Sequence, residues 1–289
     1  MAKIKDKQFK TSLGERFGQE RALYGSKGVC LVGCRFEGAE DGESALKQSE
    51  DVIAKNCYHD LRYPYWHARR LVLDRCELTE NCRAALWYAD CVKATDCEMK
   101  GIKAFRECSG VEIENSRIVS PEFGWKCRGI SLKDCRLTSE YAFLDSADVE
   151  LDNVVFDGKY SFQYVRGMKI TSSQLDTKDA FWHSVDVTVK DSVLRGEYLG
   201  WYSENLTLIR CKIVGAQPLC YCKGLRLIDC ETEECDLSFE YSDVEADIKG
   251  GIDSIKNVRS GYVRASSIGE VIATEDSVYG FGAKIFVGE

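Results

Sequence analysis

The chain lacks a basic excess, a long apolar run and any clustered metal-ligand motif, and each absence excludes a class of function. Net charge is −8 and the isoelectric point is about 5.2. Phosphate contacts dominate nucleic-acid affinity and need lysine and arginine, so no nucleic-acid partner is expected. No segment approaches the roughly 18 apolar residues of a membrane-spanning helix, so no membrane association is expected. Residues 1–20 hold basic residues with no apolar core behind them. That is not a secretory leader, and a cytoplasmic location follows as the expectation. No two cysteines stand in a C-x-x-C pair, and the three histidines, His59, His67 and His183, lie far apart. Zinc-site spacing is missing. The sequence calls for no metal and no cofactor, and it shows no nucleotide-binding loop.

What is present is a repeat. A small residue recurs as Cys34, Cys57, Cys76, Cys97, Ser116, Cys135, Val154, Ser173, Ser192, Cys211 and Cys230. The first steps are 23, 19 and 21 residues, and every later step is 19. Before each small residue runs an alternating strand such as Val111-Glu-Ile113 or Val187-Thr-Val189, then a turn residue, often Asn or Asp. After it comes a second short strand around Met99, Ile118, Leu137, Phe156, Leu175 or Leu194. Apolar residues two apart mark strands. A 19-residue unit is too short for helical repeats of about 33 to 47 residues. It fits one coil of a parallel β-helix, stacked about 4.8 Å from the next.

The fold expectation is therefore all-β: a single-stranded parallel β-helix of about eleven coils over residues 21–249. Residues 1–20 would form an N-terminal cap and residues 250–289 a C-terminal cap, one domain overall. The 15 cysteines then have a structural explanation. An inward column facing its own copies must be small and uncharged, and free cysteine behaves as a small buried hydrophobe. An odd count without a leader fits reduced thiols.

Seven stretches carry a family resemblance: RYPYWH (62–67), RAALWY (83–88), SPEFGWKC (120–127), KYSFQY (159–164), TKDAFWHS (177–184), GEYLGWYSENLTL (196–208) and IDSIKN (252–257). Across nearly its whole length the chain resembles a bacterial "domain of unknown function" family within the pectin-lyase-like right-handed parallel β-helix superfamily. The resemblance implies the right hand of the coil and supplies no catalytic residue.

The third side of each coil precedes the alternating strand and is rich in aromatics. Four residues before the strand stand His67, Tyr88, Glu107, Lys126, Asp145, Tyr164, His183 and Tyr202. Eight before it stand Glu122, Tyr141, Tyr160 and Asp179. A straight strand gives both columns the same parity and points them outward. That parity sends the tryptophan column (Trp66, Trp87, Trp125, Trp182, Trp201) inward with Arg106 and Gln163, and the phenylalanine column (Phe105, Phe143, Phe162, Phe181) outward. A bend would reverse it. A buried Arg106 needs a partner.

Two functions follow from this face. Tyrosines interleaved with acids suit an oligosaccharide: His67, Tyr88, Arg106, Glu122, Tyr141, Tyr160, Tyr164, Asp179 and Tyr202 would bind it. Glu107, Lys126, Asp145 and His183 would serve hydrolase or lyase chemistry. Glu107 and Asp145 lie two coils apart, about 9.6 Å, near the roughly 6.5–9.5 Å separation of inverting glycosidases. The alternative is a non-catalytic scaffold for a protein partner or a homo-oligomer. A cleft with converging acids favours the first; a flat aromatic face favours the second.

Overall fold

An alternating strand has one apolar face to bury, and stacking on copies of itself buries that face in a shared interior. The computed structural model, which describes residues 9–38 and 42–288, is built this way. Among the described residues there is no α-helix, only one 3-10 turn at Glu80–Cys82. The chain divides into two units, 1–139 and 140–289, each an all-β parallel solenoid.

In the first unit, the first wall stacks seven strands: Lys10–Leu13, Lys27–Val32, Glu50–Lys55, Arg69–Asp74, Asp90–Thr95, Ser109–Glu114 and Arg128–Lys133. Pairing is parallel and in register: Leu71 pairs with Val92, Val92 with Val111, and Val111 with Ile130. A second wall of shorter strands, from Arg16–Phe17 to Arg136–Ser139, follows the same order. Residues 1–8 of the expected N-terminal cap lie outside the described residues. Residues 10–17 already form a rung.

The second unit stacks eight first-wall strands: Ala147–Asp152, Arg166–Thr171, Val185–Lys190, Thr207–Ile209, Leu225–Glu233, Asp243–Ile248, Ser260–Ala265 and Lys284–Val287. The rungs thus outnumber the eleven expected. Gly251–Lys256 and Ser267–Ile272 pair in parallel, as do Ser260–Ala265 and Lys284–Val287. The segment expected as a C-terminal cap therefore extends the solenoid.

The corner between the two walls explains the cysteine column. The turn residue before each small residue takes left-handed dihedrals, as at Asn115 (φ 47°), Asp134 (φ 53°) and Asp191 (φ 51°). Asn and Asp adopt this region more readily than most residues. The next residue then points inward, and every member of the column is buried. Its thiol or hydroxyl donates to the carbonyl two residues back: Cys97 to Thr95 at 3.2 Å, Cys135 to Lys133 at 3.1 Å, Ser173 to Thr171 at 2.7 Å. Ser and Cys are interchangeable here because both are small and both can donate.

The third wall corrects the straight-strand expectation. It is a turn with left-handed residues at alternate positions: Tyr160, Phe162 and Tyr164 (φ 54°, 61°, 59°), then Asp179, Phe181 and His183 (φ 53°, 62°, 54°). Its amides reach alternately to the preceding and following rungs: Phe162 N to Ala142 O, Tyr164 N to Trp182 O. The curl breaks strand parity. Phe105, Phe143, Phe162 and Phe181 are buried, whereas all five tryptophans stay half-exposed. Of the two arrangements left open, the bend is the one present, and straight-strand parity does not apply on this wall. Gly200 (φ 76°) takes the phenylalanine position on one rung, because a Cβ there would meet Leu219 Cδ2 at 2.7 Å.

Candidate functional site: the stacked aromatic wall

On the first unit, the tryptophan column is a ladder of alternating rings and cations. Lys47 Nζ sits 4.2 Å over Trp66, and Trp66 stacks on Trp87 at 5.7 Å. The Arg106 guanidinium lies between Trp87 (5.2 Å) and Trp125 (5.1 Å). Cation–π contacts strengthen when partly desolvated. Arg106 also meets Glu107 and Glu122, each at 3.4 Å, and Lys103 joins Glu122 at 3.4 Å. The charge that strand parity placed in the core is thus a sandwiched surface cation with two carboxylates. Beside it, His67 stacks on Tyr88 at 4.8 Å, both exposed. Partial burial, then Lys47 and Arg69, lower the pKa of His67. Lys126 is exposed.

On the second unit, Tyr164, His183, Tyr202 and Tyr221 form a continuous stack with centroid spacings of 5.0, 5.0 and 4.7 Å and interplanar angles of 9°, 8° and 13°. Tyr141 and Tyr160 stack at 5.3 Å, and Trp182 and Trp201 at 5.5 Å. Trp182 Nε1 donates to Tyr198 O and Trp201 Nε1 to Gln217 O, both at 2.8 Å. Gln163 Nε2 does the same to Asp179 O at 3.2 Å. That explains a glutamine in a tryptophan column. Burial, then Glu240, push the Tyr221 hydroxyl up to about 12.

Rings stacked this closely have their faces covered by one another. What they turn to solvent is edges and phenol hydroxyls; Tyr164 is 49% exposed and Tyr202 42%. A sugar stacking flat on a ring needs a free face.

Of the residues considered for catalysis, Glu107 and Lys126 belong to the first unit, Asp145 and His183 to the second. Glu107 is engaged by Arg106, and His183 is clamped between two tyrosines. Among the acids expected at the site, Asp179 is the most buried; Asp145 is exposed and Glu107 and Glu122 are half-buried. Burial pushes its carboxyl above the usual carboxylate range. Neither that burial nor the tryptophan-to-carbonyl bonds has a signal in residue spacing.

A cavity of about 300 Å³ on the second unit is lined by Asp191, Arg210, Asp229, Lys212, Glu231 and Lys249, among others. None of these belongs to the aromatic columns. Among the described residues no group of three or more His, Cys, Asp or Glu could hold a metal ion. Among the described residues no helix is long and apolar enough to cross a membrane.

No curated protein matches the chain. Among solved structures it is similar to PfbA, a surface adhesin of Streptococcus pneumoniae, at 10% identity and a TM-score of 0.42, over 82% of this chain and 75% of that one. It is also similar to a trypsin-treated form of QnrB1, a plasmid-mediated fluoroquinolone resistance protein, at 13% identity and a TM-score of 0.18, over 76% of this chain and 92% of that one. Scores this low carry no argument. Residues 10–285 match the family described as "Protein of unknown function (DUF3737)", and the chain belongs to that family.

Proposed function

We propose that the chain is a non-catalytic β-solenoid scaffold whose aromatic wall is an interaction surface for a protein partner. One observation carries the reading: the rings of Tyr164, His183, Tyr202 and Tyr221 spend their faces on each other and offer edges and hydroxyls outward. Tyrosine presented this way contributes large contact area at low entropic cost, as at protein interfaces. The oligosaccharide reading needs open ring faces, which the stack withholds. The free thiols of the cysteine column suit a reducing compartment, which supports the cytoplasmic placement.

A photo-crosslinking residue at position 164 or 202 tests this in the producing cell. The reading predicts protein adducts from both positions and none from position 150 on the first wall. Equal adducts at all three, or none at 164 and 202, contradict it. So does saturable stabilisation by an oligosaccharide that is lost in Tyr202→Ala.

A further inference from the structure

The two units carry opposite charge. Residues 1–139 hold 24 lysines and arginines against 21 acids, and residues 140–289 hold 15 against 26. The imbalance continues onto the aromatic wall of each unit and its rims. On the first unit Arg69, Arg83, Lys126 and Arg128 are exposed, and none forms an ion pair among the described residues. The carboxylates of this wall are already engaged, Glu43 by Arg62, Glu107 by Arg106, and Glu122 by Arg106 and Lys103. Asp90 is left, half-buried and accepting from the Ser109 hydroxyl. On the second unit Asp145, Glu197 and Asp236 are exposed and have no cation partner among the described residues. Lys159 and Lys223 are engaged there by Glu140 and Glu204, which leaves Arg166 and Lys178 as the exposed cations without a carboxylate.

The rungs set one pitch for both walls. Charges on either wall are spaced by about 4.8 Å or its multiples along the stack. Cations on one wall can therefore meet carboxylates on the other with no mismatch that grows from rung to rung. Neither wall offers open ring faces. Lys47 caps Trp66, Arg106 lies between Trp87 and Trp125, and the second unit's rings cover each other. Single-stranded bases stack on open faces, which disfavours a nucleic acid on the basic wall. Carboxylates and tyrosine hydroxyls need no open face, and the second unit presents both.

We propose that the partner is a second copy of this chain: the basic aromatic wall of the first unit in one copy docks on the acidic aromatic wall of the second unit in another. Arginine and lysine on one wall meet carboxylates and the exposed Tyr164 and Tyr202 hydroxyls on the other. The inference rests on the reading of the wall as a protein interface and adds the identity of the partner. The net charge of −8 makes copies repel on average, and that repulsion grows as salt is removed. Complementary patches give the opposite sign, so association strengthens as salt is removed.

Sedimentation velocity of the full chain at about 0.01 M and about 1 M salt, where exposed charges act over about 30 Å and about 3 Å, tests it. Two charge-reversed variants complete the test. Arg69→Glu with Lys126→Glu reverses the sign on the first unit's wall, and Asp145→Lys with Glu197→Lys reverses it on the second. The equivalent positions of neighbouring rungs already carry these residue types, at Glu50, Glu107, Lys126 and Lys178, so the fold should tolerate them. Wild type should associate at low salt and dissociate at high salt. Each variant alone should associate at least roughly tenfold more weakly. An equimolar mixture of the two should recover association, because each supplies the charge the other lacks. The wild-type salt dependence decides the matter even where a variant folds poorly. Monomeric wild type at low salt, association that survives about 1 M salt, or a mixture of folded variants no stronger than its components overturns the inference. So does a wild-type monomer that binds a single-stranded oligonucleotide through Lys126. Protein adducts at positions 164 and 202 without self-association remove this inference alone and leave the wall an interface for a different protein.

Discussion

Gln163 and Trp182 occupy equivalent positions on successive rungs and make the same bond, each donating to the carbonyl 16 residues on: Asp179 O at 3.2 Å for Gln163, Tyr198 O at 2.8 Å for Trp182. On the second unit Gln163, Trp182 and Trp201 thus each place a planar group with an N–H at its far edge, whereas the Nε1 groups of Trp66 and Trp87 are buried without a partner. Trp182→Phe should lower stability by about 1 kcal/mol, the worth of one hydrogen bond. Gln163→Leu should cost a similar amount, and Gln163→Trp should be tolerated. Thermal unfolding of the three variants checks this; a destabilised Gln163→Trp with a neutral Trp182→Phe contradicts it.

Arg106 depends on shape as well as charge. Arg106→Lys keeps the charge but loses the plane between Trp87 and Trp125 and the forked contacts to Glu107 and Glu122. A loss of about 1–2 kcal/mol is expected. A lysine variant as stable as wild type would show that the sandwich contributes nothing.

His59 sets an acid limit. It is buried, stacked on Phe36 at 4.9 Å, with Nδ1 3.3 Å from Glu77 O and Nε2 2.7 Å from the Tyr65 hydroxyl. The carbonyl can only accept, so Nδ1 carries the proton and Nε2 accepts from Tyr65. Burial lowers its pKa to about 4. The unfolded chain then takes up a proton below about 6.5 that the folded chain refuses. Stability should fall as pH drops from about 6.5 to 4, by an amount on the order of 3 kcal/mol from this group. His59→Phe should flatten that slope by up to one proton, whatever it costs at neutral pH. Parallel wild-type and variant profiles of unfolding free energy over this window would refute the assignment.

Asp179 works in the opposite sense. Its raised pKa means that the folded chain holds the proton more tightly, so stability is lost as pH rises through that titration. Asp179→Asn should raise the melting temperature at pH 7.5 and gain less at pH 4. A variant destabilised at pH 7.5, or an equal gap at both pH values, contradicts the account.

Thiol reactivity should separate ladder from surface. Cys91 is exposed and Cys30 half-buried, while the other thirteen cysteines are buried. Ellman's reagent should react rapidly with one thiol of the native chain, more slowly with a second, and with the rest only on unfolding. Rapid titration of several thiols, or a Cys91→Ser variant that keeps the fast phase, would contradict the buried ladder.

Two walls of the solenoid were legible in the sequence, and the third was not. Strand alternation at Val111-Glu-Ile113 and the steady 19-residue step place residues by period-2 logic, and Asn115 or Asp134 announces the corner because those residue types tolerate left-handed dihedrals. At Tyr160, Phe162, Tyr164 and Phe181 the same dihedrals occur in residues that rarely adopt them. The tolerant residues in the curl, such as Asp145, Asp179 and Gly200, do not recur at one position of the rung, so residue type alone left parity and a bend both open. Asp179 stood out in the sequence only as an acid among tyrosines. Its burial depends on how neighbouring rungs pack, which residue order does not encode.

The third wall curls, turning phenylalanine into the core and the tryptophan and tyrosine edges outward. Hydroxyl-radical footprinting of the native chain with residue-level mass spectrometry tests it directly. Oxidation is expected at Tyr164, Trp182, Trp201 and Tyr202, with Phe143, Phe162 and Phe181 protected until the chain unfolds. Oxidised phenylalanines beside protected tryptophans would contradict it.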